Sequence, residues 1–290
     1  MSYPISLVDT TSGETLVIAD PIIVTPFYVQ SLQVGGADVR AAVNNRPQTD
    51  GTLDVTQYSG AAAVTLNLTT IGVDAHANVD VLRAWVRPDR RSWLEVERGA
   101  WAGPRRMLVR GDALTAPVAT ATSDGPMVVL QMAWRAIDGV WEGVDEQSRT
   151  IFPGGVTTGG FSYPFSYPYS YGTGTPPGSG DAQVGGTVPT PPVIRIYGPA
   201  TAPSLTNTVT GQTIAFTAGF TIPAGGYVSI DVAAGTVLAN DDPAVTRFNS
   251  IDWTQTDLWF LQPGNNPITF TATSLGAVSQ AVITWHERTA

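Results

Sequence analysis

The chain has 290 residues, enough for about two domains with cores of their own, and 43% of them are hydrophobic, which excludes an intrinsically disordered protein. Charged residues make up only 13% while Gly (30) and Pro (22) are plentiful, a balance that favours short strands and turns and predicts an all-β protein. The net charge of −9 is shared by both halves, which excludes a basic nucleic-acid module, and the lack of Cys excludes disulfides, thiolate metal sites and a Cys nucleophile.

The first residues, "MSYPISLVDTTSGETLVIAD", show no basic segment leading into an apolar run, and no stretch of about 18 apolar residues follows. The expectation is synthesis in the cytoplasm without membrane insertion. Strand-like runs come next: "TLVIAD", "AAAVTLNLTT", "SWLEVE", "RRMLVR" and "MVVLQMAW", separated by turn chemistry such as "TDGT" and "SDGP". Within "DAHANVDVLRAWVRP" the pattern changes. Val79, Leu82 and Val86 recur at helical spacing, Asp74 is placed to cap, and Pro88 lies just past the end. Residues 1–152 are therefore expected to form a β-rich domain carrying one helix.

From 153 to 192 charge nearly vanishes, and Gly, Pro, Ser, Thr and Tyr dominate, the composition of an extended connector. At its centre is "FSYPFSYPYSYG". An extended chain alternates its faces, so Phe161, Tyr163, Phe165, Tyr167, Tyr169 and Tyr171 all point one way over about 33 Å. Half-burying six such rings is worth on the order of 10 kcal/mol before ordering costs. The ribbon is expected to pack between domains or between copies of the chain. Residues 193–290 then supply "VIRIYG", "QTIAFTA", "YVSIDV", "LWFL", "PITFTAT" and "AVITWHER", with Val228, Ile230 and Val232 on one face and Ser229 and Asp231 on the other. That spacing predicts a two-sheet sandwich. In "QPGNNP", Pro263 and Gly264 suit a type II turn.

Chemistry-bearing constellations are sparse. Glu95 and Glu97 share a strand face, and Asp138, Glu142, Asp145 and Glu146 cluster in "AIDGVWEGVDEQ", where paired carboxylates could serve a depolymerase. A solvated edge or loop is the favoured reading, since nothing marks one carboxyl as desolvated. "NDDP" at 240–243 has oxygen ligands for calcium but reads as a turn. His76 and His286 are far apart, so no His-rich metal site is expected, and neither is read as a catalytic base. No cofactor motif is found. Trp253, Trp259 and Trp285 offer either core packing or sugar-stacking platforms.

Taken in order, "GAAAVTLNLTT", the helix leading into "LRAWVRPDRRSWLEVE", and "RRMLVRGDALTAP" resemble the first domain of the distal tail proteins (Dit) of long-tailed bacteriophages. The aromatic connector, then "DAQVGGTVPTPPVIRIYGPATAPSLTNTVTGQTIAF", "YVSIDV" and "WFLQPGNNPITFTAT", resembles that family's connector and galectin-like second domain. The resemblance implies an N-terminal sandwich or split barrel that builds a ring of six copies, and a galectin-like sandwich projecting from it. It implies a structural virion protein at the tail tip, with no catalytic residues, cofactor or metal. Its partners would be further copies, the tail tube protein and the tail hub, tail-associated protein or fibres. DNA would pass through the ring without sequence-specific binding. The rival expectation is an adsorption module that reads host cell-wall glycans through Trp253, Trp259 or Trp285.

Overall fold

The computed structural model describes residues 3–40, 58–72, 74–99, 101, 103–116, 127–153, 179–276 and 278–290. The chain divides into two compact units, Met1–Asp145 and Glu146–Thr289. The aromatic ribbon Phe161–Tyr171 lies outside the described residues.

Unit 1 contains β1 (Ile5–Asp9), β2 (Thr15–Ala19), β3 (Phe27–Arg40), β4 (Tyr58–Ile71), α1 (Ala75–Trp85), β5 (Arg91–Val96), β6 (Arg105–Thr115), β7 (Met127–Ala136) and the first part of β8 (Trp141–Ile151). All ladders are antiparallel. β2–β1–β5–β6 form one run and β3–β4–β7–β6 the other, so β6 belongs to both. Arg105–Arg110 pair with β5, whereas Val109–Thr115 pair with β7, and the register shifts between Gly111 and Ala113. Strand alternation fills the space between the runs: Leu7, Leu66, Leu68, Leu94, Met107, Met132 and Trp134 are all inward and buried.

The helix covers this core with Ala75, Val79, Leu82 and Trp85, the face that the periodicity predicted. Asp74 occupies the N-cap position without making a side-chain cap bond. The other end of α1 is held more firmly. Arg90 stacks on the Trp85 ring at 3.5 Å and reaches both Asp9 (2.6 Å) and Glu14 (2.8 Å) on the β1–β2 hairpin. Asp9 Oδ1 also accepts from the Ser12 and Thr11 backbone N–H groups, each at 2.8 Å. These backbone bonds first, and the Arg90 charge after them, lower the Asp9 pKa to about 2.

Unit 2 is a sandwich. One sheet has the order β17–β16–β15–β10–β20 (Asp242–Thr246, Thr236–Ala239, Tyr227–Asp231, Val193–Tyr197, Gln280–Thr289). The other has the order β13–β12–β18–β9 (Gln212–Ala215, Ser204–Asn207, Gly264–Thr271, Ser179–Val184), and the short strands β11 (Ala200–Thr201), β14 (Thr221–Ile222) and β19 (Ser274–Leu275) pair separately. Ile194, Ile196, Val228, Ile230, Ile268, Phe270 and Ile283 alternate into its core. Gly264 has φ +100°, the positive value expected for its turn.

Several expectations need adjusting. The division between units falls inside β8 instead of at residue 152, because Ile151 is fully buried in the second core. Residues 179–184, assigned to the connector by composition, form β9, and Ala182 and Val184 alternate into the same core. "LWFL" is not a ladder strand; Leu261 makes a single bridge to Thr190. "WEGVDEQ", read as an acidic edge or loop, is the start of β8. β1 and β3 went unread, since short or Gly-interrupted apolar patterns carry little strand signal.

Two outcomes follow. A Cβ at Gly111 would lie 2.2 Å from the Val86 carbonyl carbon and oxygen, so Gly111→Ala is expected to cost about 1–3 kcal/mol in urea unfolding. Gly36→Ala, whose Cβ meets nothing within 4 Å, should stay within about 0.5 kcal/mol. Because the Asp9 pKa is depressed, its contribution is fully present above the unfolded value of about 4 and is lost as pH falls toward about 2. The stability gap between wild type and Asp9→Asn, measured by urea unfolding across pH, should therefore be flat above about pH 4 and shrink below it.

Candidate functional site

An open groove of about 870 Å³ runs along β3 in unit 1. Its walls come from Ile5 on β1, Val29, Leu32 and Val34 on β3, and Val96 at the end of β5, with Gly35 and Gly36 leaving one side low. β3 pairs with β4 and has no second ladder partner among the described residues, so the groove follows a strand edge. Gln30 and Ser31 add polar atoms. Gln30 Nε2 already donates to Thr69 Oγ1 at 2.8 Å, and Ser31 Oγ accepts from Asn67 Nδ2 at 2.9 Å.

The far rim is aromatic and cationic. Trp101, in the β5–β6 loop, and Trp141, at the start of β8, meet with ring centroids 5.2 Å apart at 57°. Arg98 and Arg105 approach the Trp101 ring at 5.4 and 5.2 Å, a cation–π arrangement that leaves guanidinium N–H groups available. Arg106 sits over Trp93 at 4.4 Å and pairs with Glu142 at 2.7 Å. Arg83, Arg87, Arg90, Arg106 and Arg135 have carboxylate partners, while Arg91, Arg98, Arg105 and Arg110 have none among the described residues; of these four, Arg98 and Arg105 stand against Trp101.

A second feature faces solvent. Between β2 and β3, "DPIIVTP" places three aliphatic side chains in a row, with Ile22 90%, Ile23 59% and Val24 97% exposed. The loop is not loose: Asp20 Oδ1 accepts from the Ile22 and Ile23 N–H groups at 2.7 and 2.8 Å, and Thr25 Oγ1 donates to the Ile18 carbonyl at 2.9 Å. A pinned apolar tip is costly in water. The arrangement of groove, rim and tip suits docking of chain segments.

Comparison with known proteins gives a consistent answer. Residues 185–288 match the family described as siphovirus-type tail component, C-terminal domain. The match covers most of the second unit. The whole chain is similar in structure to the Dit protein of phage SPP1, described as a paradigm of hub adsorption apparatus in phages infecting Gram-positive bacteria. The TM-score is 0.61 at 14% identity, with 98% of each chain covered. It is also similar to a chain of the phage P2 baseplate in its activated conformation with Ca, with a TM-score of 0.53 at 12% identity, covering 99% of this chain and 98% of that one. No curated protein matches by sequence. The chain therefore has the distal tail protein fold over both units.

In the tail-component domain the three Trp candidates separate. Trp259 is fully buried and Trp285 is 5% exposed, so both rings are spent on the core and present no face to a sugar. Trp253 is 43% exposed and tilts against Phe248, whose centroid is 4.7 Å away. The other polar candidates resolve as structure. Glu142 is the partner of Arg106, His76 is exposed on the first turn of α1, and the His286 carbonyl accepts from Thr190 Oγ1. Asn240 and Asp241, with φ of +52° and +57°, make the turn between β16 and β17. There Asp241 accepts from Tyr227 Oη at 2.9 Å and faces Arg195 at 3.3 Å. Hydrogen bonding, led by Ser229, lowers the Asp241 pKa, and the bond to Asp241 raises that of Tyr227. Among the described residues no group of His, Asp and Glu is placed to hold a metal ion.

Sequence reading missed the groove, its Arg98–Trp101–Trp141 rim and the Ile22–Val24 tip. The tip did leave a trace, since an aliphatic triplet bracketed by two prolines is too short for a strand and too apolar for an ordinary turn. For the Trp residues the expectation is asymmetric. Trp259→Ala should lower stability by about 3–5 kcal/mol in denaturant unfolding, and Trp253→Ala by less than about 1 kcal/mol.

Proposed function

We propose that this chain is a structural protein of a long-tailed phage tail tip, six copies of which close into a ring joining the tail tube to the hub and adsorption apparatus. The observation that carries the reading is the fold match over 98% of both chains to SPP1 Dit, with the siphovirus-type tail component family matching most of unit 2. Unit 1 would build the ring, and unit 2, the galectin-like domain of the family, would project from it as a platform. The placement is the tail tip of the virion. No helix among the described residues is long and apolar enough to cross a membrane.

The work assigned is mechanical instead of catalytic. Each copy offers a long strand edge and solvent-facing apolar groups, surface that head-to-tail association removes from water until the ring closes. The acidic balance suits a conduit through which DNA slides without being gripped. The aromatic connector Phe161–Tyr171 is proposed as further packing between units or copies. Of the candidate glycan contacts, Trp253 alone keeps an accessible ring, so a host-sugar role would have to centre on it and Phe248.

The deciding measurement is particle mass and shape. Size-exclusion chromatography with light scattering and negative-stain imaging of the full chain should give rings of six times the 30.5 kDa chain. A monomer at all concentrations, with no rings in the images, would sink the proposal.

A further inference from the structure

We propose that the Asp20–Val24 loop of one copy seats in the β3 groove of the next, with Asp20 facing Arg98, and that this contact closes the ring. The inference rests on the ring reading above and assigns its interface.

The chain carries both halves of a complementary pair. One half is a trough of about 870 Å³, within the range that holds several side chains, with an apolar wall of Ile5, Val29, Leu32, Val34 and Val96 and polar lining from Gln30 and Ser31. At its rim stands Arg98, stacked on Trp101 but without a carboxylate among the described residues. The other half is an aliphatic tip, Ile22-Ile23-Val24, with no cover among the described residues. Beside the tip stands Asp20, which uses only Oδ1 in the loop and leaves Oδ2 free among the described residues. An apolar tip with one carboxylate meets an apolar-walled trough with one cation. Chemistry of opposite sign on two patches of the same chain is what a heterologous, ring-closing interface requires, and it favours a second copy over a foreign occupant.

Preorganisation points the same way. Two N–H bonds to Asp20 and the Thr25 hydroxyl bond to Ile18 fix the loop before any partner arrives, so little ordering is left to be done on docking. A loop with no contact role gains nothing from holding three aliphatic groups in solvent. Arg98 is likewise pre-positioned by its ring contact.

The test is charge exchange combined with directed cross-linking. In sedimentation velocity over a concentration series, Asp20→Arg and Arg98→Asp should each raise the concentration for half-assembly at least tenfold, and the double variant should recover part of the loss, the remainder reflecting the two loop bonds to Asp20 that an Arg cannot accept. The chain has no Cys, so Ile23→Cys in one preparation and Gly36→Cys in another report on the contact directly. A Cβ at Gly36 meets nothing within 4 Å, which keeps that variant folded. Mixed and oxidised, the two should give a disulfide-linked dimer that neither gives alone. Rings that form normally in both single reversals, or rings with no Ile23–Gly36 cross-link, would overturn this seating and leave the ring reading standing. A wild-type chain that stays monomeric, with no cross-link between the two Cys variants, would overturn both.

Discussion

Unit 1 depends on one strand serving two ladders. β6 pairs with β5 through its first half and with β7 through its second, and it changes partner at Gly111, where the end of α1 presses its backbone against the strand. With any side chain there, either the bulge would flatten or the helix would lift from the core it covers with Val79 and Leu82. The remaining architecture follows from this bend. It sets β3–β4–β7 against β2–β1–β5, encloses Leu66, Leu94, Met107 and Trp134, and leaves β3 as a strand edge.

That edge explains why the solvent-facing groups of unit 1 are unlike those of an ordinary surface. A long exposed edge beside an apolar-walled trough is usually blunted by charge or by a covering loop. Here Gly35 and Gly36 keep it open, and the nearby cations are held on Trp101 instead of being neutralised by carboxylates. Other arginines of the unit fasten elements to one another: Arg90 with Asp9 and Glu14, Arg106 with Glu142.

Much of the fold was legible because strand alternation and helical spacing are local signals. "SWLEV" and "MVVLQMAWRA" declare themselves by inward Leu, Val, Met and Trp, and α1 buries the face its spacing marked. What could not be read depends on partners distant in sequence. β9 looks like linker because Gly180 and Asp181 break its pattern, and its pairing with β18, distant in sequence but next to it in the same sheet, makes it a strand. β8 looks like an acidic surface because its partner contacts were invisible, and Glu142 acquires a structural role only once Arg106 is beside it. Trp259 and Trp285 illustrate the same limit: a Trp in an apolar run serves a core or a platform, and burial alone decides.

The groove was illegible for a sharper reason. Its wall residues come from β1, β3 and β5, its rim from the β5–β6 loop and the start of β8, and none of these stretches is unusual alone. The loop between β2 and β3 left only a faint trace in the linear text, aliphatics where a turn should be polar. On the proposed seating, its meaning depends on a surface that the same chain builds elsewhere in the unit. A subunit that must meet its own kind is under pressure to separate the two halves of its contact, since adjoining halves would satisfy each other within one molecule. On the proposed ring reading, an uncovered tip here and an unfilled trough there are the two halves of one contact, kept apart within each copy.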